Sequence, residues 1–351
     1  FPRKVYNGFI YFDFVMDKSW TDLLERFAEL GGTAENIYQR EGELGRGIFP
    51  IDPYRRAQIM APKNLFLKRN NISLCNGKIV VKDGSSYSAK EKTFLEMYYN
   101  EHSWGNNGNS GSINFLEFIS ALPDSFKTRL LACKFIDSTL LSMCNNQEGM
   151  LKRFINERVV SFQGDSVLAP VWELVNHSSF APPLRINSFG VETPPLEADD
   201  QEILHKYSSK NSPMSMWSKY GFACRCIVAY SIPFTIDAND GIQSIKCSGL
   251  QKSSKAINNF ALKGDDSLLI PSLPIGCLSK ELPISYFSSI MSSAGLPVEL
   301  VSEYFSKIRE INVKARNDLL NSMQDSSLGT QSELFKALTF EIELIQSVSC
   351  G

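Results

Sequence analysis

Gly42-Glu43-Leu44-Gly45-Arg46-Gly47-Ile48-Phe49 sets the character of the first third of the chain. Glycines spaced this closely make a tight turn, and the apolar pair Ile48-Phe49 then reads as the start of a short strand. Ile59-Met60-Ala61-Pro62 and Leu65-Phe66-Leu67 are further short apolar runs between turn residues, and Asn76-Gly77 inside 73–82 is a hairpin signal. The glycines do not follow the order of a dinucleotide fingerprint, no long helix follows them, and no Gly-Lys-Ser/Thr marks a P-loop. On their own they make a β-turn. Their functional use is to let backbone N–H and C=O groups approach a ligand closely.

Outward from this segment the pattern changes period. Residues 18–31 carry Trp20, Leu23, Leu24, Phe27 and Leu30 at helical spacing, stopped by Gly31-Gly32. Residues 88–101 are predicted helical, with Phe94, Leu95, Met97 and Tyr98 for burial. Gly105–Ser112 (GNNGNSGS) is a flexible loop by composition, and 113–157 is helical almost throughout. Residues 158–240 return to short β segments and turns, punctuated by Pro170, Pro182-Pro183 and Pro194-Pro195. From about 280 the chain is helical again. Val298, Val301, Phe305, Ile308, Ala315 and Leu319 form one stripe, and Thr330-x-x-Glu333 is a capping box for a last helix. The order β, α insert, β, α tail points to an α+β fold. The missing βαβ alternation argues against a doubly wound parallel sheet.

With 351 residues, 43% of them hydrophobic, the chain has material for about two domains. Its 36 Lys+Arg against 38 Asp+Glu give a net charge of −2, so no overall basic field favours nucleic acid or an anionic membrane. Aromatics at 11% exclude wholesale disorder. No apolar run approaches the ~20 residues of a membrane span, and Phe9–Met16, broken by Asp13, is too short for a signal-peptide core. The chain begins at Phe1, which points to residues preceding it. Eight scattered cysteines form no framework, so reduced thiols and a cytoplasmic or nuclear setting are expected. Cys224 and Cys226 make a lone CxC without further ligands nearby, and no metal is expected.

Two more segments carry chemistry. In Leu168-Ala169-Pro170-Val171-Trp172-Glu173-Leu174-Val175-Asn176-His177-Ser178 a polar Asn-His closes an apolar run, where a buried polar pair must find hydrogen-bond partners. It reads as a satisfied structural turn or as part of a site. No GxSxG accompanies it, which removes the Ser/His hydrolase reading. In Ser212–Phe222 (SPMSMWSKYGF), Met214, Met216 and Trp217 suit a core, and Tyr220-Gly221-Phe222 sets a phenol beside a glycine that lets the chain turn.

Taken together, in this order, these three segments resemble a SET-domain protein methyltransferase, of the branch typified by the RuBisCO large-subunit lysine methyltransferase. Gly45-Arg46-Gly47-Ile48-Phe49 resembles its glycine turn and strand, Asn176-His177-Ser178 its Asn-His motif, and Tyr220-Gly221-Phe222 its tyrosine motif. Phe115-x-x-Phe118-Ile119-x-x-Leu122-Pro123 is similar to its helical insert. The chain departs from the family pattern at Glu173, where Asp is common, at Trp172, at Arg46 between the glycines, and at Pro213-Met214.

The resemblance implies a β-rich SET domain over 1–250 with a helical insert at about 86–157, then an all-α substrate-binding domain over 251–351 that docks a protein. It implies S-adenosylmethionine as methyl donor and a lysine as acceptor, with a histidine acceptor or a catalytically silent binding module as alternatives. Arg158 would hold the donor carboxylate. Backbone carbonyls of Leu44, Gly45, Arg46 and Gly47 and the Asn176 side chain would take its ammonium. Glu173 also belongs to the implied donor site, and adenine would lie near His177 with Phe222 as a wall. Tyr220 would orient the reacting groups, a phenol being a poor general base at neutral pH. Tyr207, Tyr230 and Phe234 would line the acceptor channel.

Overall fold

The computed structural model describes residues 4–6, 9–11, 17–144, 146–194, 201–208, 211–238, 243–249, 262–264, 266–324 and 332–348. Residues 12–16 of the Phe9–Met16 run, Pro195, Thr330 and Cys350 lie outside them. The chain forms two compact units, one from residues 1–108 and 158–206, the other from 109–157 and 207–351.

In the first unit, α1 (Lys18–Glu29) is capped by the Asp17 side chain and buries Trp20, Leu23 and Phe27. Its neighbours are short strands. Thr33–Glu35, Gln58–Pro62, Gly190–Glu192 and Arg185–Ile186 form one antiparallel sheet. Ile37–Gly42 and Gly45–Pro50 pair as a hairpin with Glu43-Leu44 at its tip. The Asn76-Gly77 signal sits between Ile72–Cys75 and Lys78–Val81, both turn residues at positive φ (50° and 77°), as a type I′ turn requires. A Ser88/Glu91 capping box starts α2 (Ala89–Glu101), which buries Phe94, Leu95, Tyr98 and Tyr99.

The Gly105–Ser112 stretch corrects the compositional reading. Trp104–Gly108 is a π-helical turn continuing from α2, and Ser110 begins the next helix. Tertiary partners override the glycine and asparagine content. The Trp104 indole donates to the Gly77 carbonyl at 2.8 Å, and the Gly108 carbonyl accepts from Arg158 at 2.9 Å.

The second unit holds α3 (Ser110–Ala121), α4 (Asp124–Ala132), α5 (Ser138–Ser142), α6 (Gln147–Arg158, its last residue counted with the first unit), α7 (Pro213–Tyr220), α8 (Leu282–Ser293), α9 (Val301–Gln324) and α10 (Glu333–Gln346). The α3–α6 segment buries Phe115, Leu130 and Leu140 in one core with Leu319, Met323, Leu334 and Leu338 of α9 and α10. That shared core binds the α3–α6 segment to the C-terminal helices. The helical C-terminal region begins at Leu282; ahead of it, Leu262–Lys263, Ser267–Ile270 and Pro274–Cys277 are strands. Ser267–Ile270 runs parallel to Ser244–Cys247 and buries alternate residues, Leu268 and Ile270. In α9 the stripe buries Val301, Phe305, Ile308 and Leu319, whereas Val298 is exposed. The last helix is capped by Ser332, whose hydroxyl accepts from the Phe335 N–H.

α7 interrupts the stretch read as short β segments and turns. Ser212 caps it, Pro213 opens it, Met214, Met216 and Trp217 are buried, and Gly221 ends it at φ 84°. The left-handed residue after the last turn is what glycine permits there.

Charge fixes the interior of this unit. Arg316 and Glu341 have no exposed surface. Arg316 donates to Glu341 Oε2 from Nε (2.8 Å) and Nη2 (2.5 Å), to the Asn312 carbonyl (3.1 Å) and to the Tyr230 carbonyl (2.8 Å). Glu341 Oε1 accepts from the Met214 N–H at 3.2 Å, which ties α7 to α9 and α10. Removing one partner strands the other as a buried charge, so Arg316→Ala is expected to lower unfolding free energy by about 3–5 kcal/mol in chemical denaturation. A loss below about 1 kcal/mol would contradict this account.

Candidate functional site

In the first unit a buried charge lies at Glu173. Val171, a β-branched residue, sits at φ 65°, ψ −48°, and the Trp172 N–H donates to the Pro170 carbonyl at 2.8 Å. This is the strained hand of γ-turn, a conformation costing on the order of 1–3 kcal/mol. It turns the next residues inward. Trp172 packs on His205 with ring centroids 4.4 Å apart, and the Glu173 carboxylate is fully buried. Tyr98 donates to it at 2.9 Å, Ser103 donates to the same oxygen, and Arg158 Nε lies 3.2 Å from the other oxygen. Burial pushes the carboxyl up, while Arg158 and the two hydroxyl donors pull it back down.

A second guanidinium joins the cluster. Arg46 Nη2 donates to the His102 carbonyl at 3.0 Å, and Arg158 Nη2 to the Gly108 carbonyl at 2.9 Å. Burial lowers the Arg46 value, and Arg158 repels it. Glu173 and Glu41, which faces Arg46 across the hairpin, offset these two guanidinium charges, and a guanidinium fork is suited to a carboxylate.

At the other side of the glycine turn, Asn176 Nδ2 donates to the Arg46 carbonyl at 3.3 Å and to Glu202 Oε1 at 2.6 Å. The 45–47 and 176–177 segments thus meet. A Cβ on Gly47 would run into the Glu202 carboxylate and the Asn176 amide, so this position tolerates no side chain without displacing them. Leu44 is 55% exposed at the hairpin tip. Asn176-His177 pairs in parallel with Leu204-His205, and His177 Nε2 lies 3.2 Å from Ser179 Oγ.

The remaining candidates belong to the second unit. Tyr220 ends α7, with its ring 4.8 Å from Tyr207 and 6.1 Å from Phe222, and Lys219 Nζ lies 4.7 Å from its centroid. Tyr230 and Phe234 are not grouped with these rings. Tyr230 is buried on the strand Val228–Tyr230, and Phe234 belongs to a core with Phe287 and Phe305. Cys224 and Cys226 approach to 3.5 Å, and among the described residues no group of His, Cys, Asp or Glu is arranged to hold a metal.

Sequence reasoning missed Glu202, Ser103, Tyr98 and the His102 carbonyl. Glu202 carries no motif. Tyr98 was visible only as an apolar position of α2, since helical spacing does not say where a phenol hydroxyl points.

No protein-family model and no curated protein matches the chain. Among solved structures, Rubisco LSMT bound to AdoMet matches with a TM-score of 0.45 and 13% identity, over 95% of this chain and 90% of that one. The SET domain of LSMT bound to lysine and AdoHcy matches with a TM-score of 0.44 and 12% identity, over 95% and 91%. No helix among the described residues is long and apolar enough to cross a membrane.

His205 is buried against this site, and burial lowers its value from 6.5 to about 3. A group depressed on folding gives stability that is complete above the unfolded value and is lost as pH falls toward the folded one. Stability is therefore expected to fall by about 1.4 kcal/mol per pH unit between pH 6.5 and about 3 from this residue alone. Denaturation at several pH values should show that component missing in His205→Gln; equal slopes for both proteins would contradict it.

Proposed function

We propose that this chain is an S-adenosylmethionine-dependent protein-lysine N-methyltransferase. What carries the reading is the hydrogen bond from Asn176 to the Arg46 carbonyl, which joins two motif segments 130 residues apart beside a pair of guanidinium groups. The donor's amino-acid tail is a zwitterion. Arg46 and Arg158 supply guanidinium groups for its carboxylate, and Arg158's planar fork matches the two oxygens of a carboxylate. The Arg46 carbonyl, which accepts from Asn176 beside Gly47, supplies an acceptor for its ammonium. These residues fit the group. When bound, it supplies an electrophilic methyl on a sulfonium sulfur.

The chain's own residues then have distinct tasks. Arg46 and Arg158 bind and orient. Glu173 holds Arg158 in place and is itself held by Tyr98 and Ser103. Tyr220, from the Tyr-Gly-Phe motif, orients the acceptor amine by its hydroxyl, with Tyr207 and Phe222 as aromatic neighbours. A lysine amine, ordinarily near 10.4, must lose its proton to attack, and an apolar aromatic surround favours the neutral form. Protein docking is assigned to the C-terminal helical region, where Leu282 and Val298 are exposed.

Calorimetry with S-adenosylhomocysteine is expected to give saturable binding, weakened about 10-fold in Asn176→Ala, the worth of one hydrogen bond. Absence of binding to the wild type would refute the reading. Tyr220→Phe is expected to reduce methyl transfer by about 100-fold while leaving that binding unchanged. Equal rates would remove Tyr220 from the chemistry.

A further inference from the structure

Glu202 has no place in the motifs, yet it stands at the glycine turn. The segment is pinned there: the Ile203 N–H donates to the Ile48 carbonyl at 2.8 Å, and Ile203 is buried. Glu202 Oε1 accepts from Asn176 Nδ2 at 2.6 Å, over the face of Gly47 that a side chain would fill. The same amide group donates to the Arg46 carbonyl. A carboxylate offers about four lone-pair positions, and the Asn176 bond takes one of them. Burial raises the Glu202 value, and Asn176 and Arg40 oppose that rise. Arg40 is itself stacked on the Phe49 ring, 3.8 Å from its centroid.

The two ends of Arg46 thus face opposite chemistry. Its guanidinium lies with that of Arg158 beside Glu173, and its carbonyl belongs with Glu202 to a pair of acceptors bridged by Asn176. Cations at one end and acceptors at the other complement an α-amino-acid zwitterion. Resting on the donor reading above, we infer that the Glu202 carboxylate receives the α-ammonium group of the methyl donor and selects for ligands that carry it. A charge-assisted bond of this kind is roughly twice as strong as a neutral one. Before an ammonium arrives, the Asn176 amide and the more distant Arg40 charge face this carboxylate.

The test compares S-adenosylhomocysteine with its deamino analogue, in which hydrogen replaces the α-amino group, by calorimetry on the full chain. The wild type is expected to prefer the amino ligand by about 10- to 100-fold. Glu202→Gln should lose about 10-fold or more for the amino ligand while binding the deamino ligand within about 3-fold of wild type. Glu202→Asp, which keeps the charge, should retain part of the preference. Equal losses for both ligands, or unchanged or tighter binding of S-adenosylhomocysteine by Glu202→Gln, would overturn the inference alone. Tighter binding would mean that the carboxylate excludes ligands from the turn. No binding of either ligand by the wild type would overturn the donor reading and this inference with it.

Discussion

A carboxylate without exposed surface has to be surrounded by donors, and the first unit is organised around that requirement at Glu173. Its donors come from parts of the chain far apart in sequence: Tyr98 from α2, Ser103 from the turn after it, Arg158 from the end of α6. An unanswered charge at such a position would cost several kcal/mol. The γ-turn at Val171 and the π-helical turn at Trp104–Gly108 are local conformations that an isolated peptide would avoid, and both serve this arrangement. With Arg158 held by Glu173 on one edge and by the Gly108 carbonyl on another, the guanidinium has a fixed direction. Arg46 adds a second guanidinium, with Glu41 opposite it on the hairpin.

The second unit solves the same problem differently. There the buried charge is a pair, Arg316 and Glu341, and each remaining lobe is answered by backbone: the Tyr230 and Asn312 carbonyls, and the Met214 N–H. The consequence for function is positional. The start of α7 is anchored through Met214, its body is buried through Met216 and Trp217, and Gly221 closes it, so Tyr220 stands at the end of a short helix held at both ends.

Much of this was legible in the sequence where a single local signal sufficed. Asn76-Gly77 specifies its turn because both residues tolerate positive φ, and Ser88 with Glu91 starts α2 by reciprocal capping. The α7 helix was legible too, through Ser212, Pro213 and Gly221, but short apolar runs among prolines favoured a strand reading. What could not be read were long-range polar contacts. Nothing local distinguishes Glu202 from a solvated glutamate, and nothing in Gly105–Ser112 announces that distant arginines donate to carbonyls in and beside that stretch. The Asn176 and Arg46 segments were singled out separately by their residue types; their hydrogen bond is a property of the fold.

The most direct measurement of the central claim is mass spectrometry of a cell lysate incubated with the protein and a methyl-labelled S-adenosylmethionine. The account predicts label on lysine side chains of a discrete protein, dependent on added enzyme. Label on no protein, or only on residues other than lysine, would contradict it.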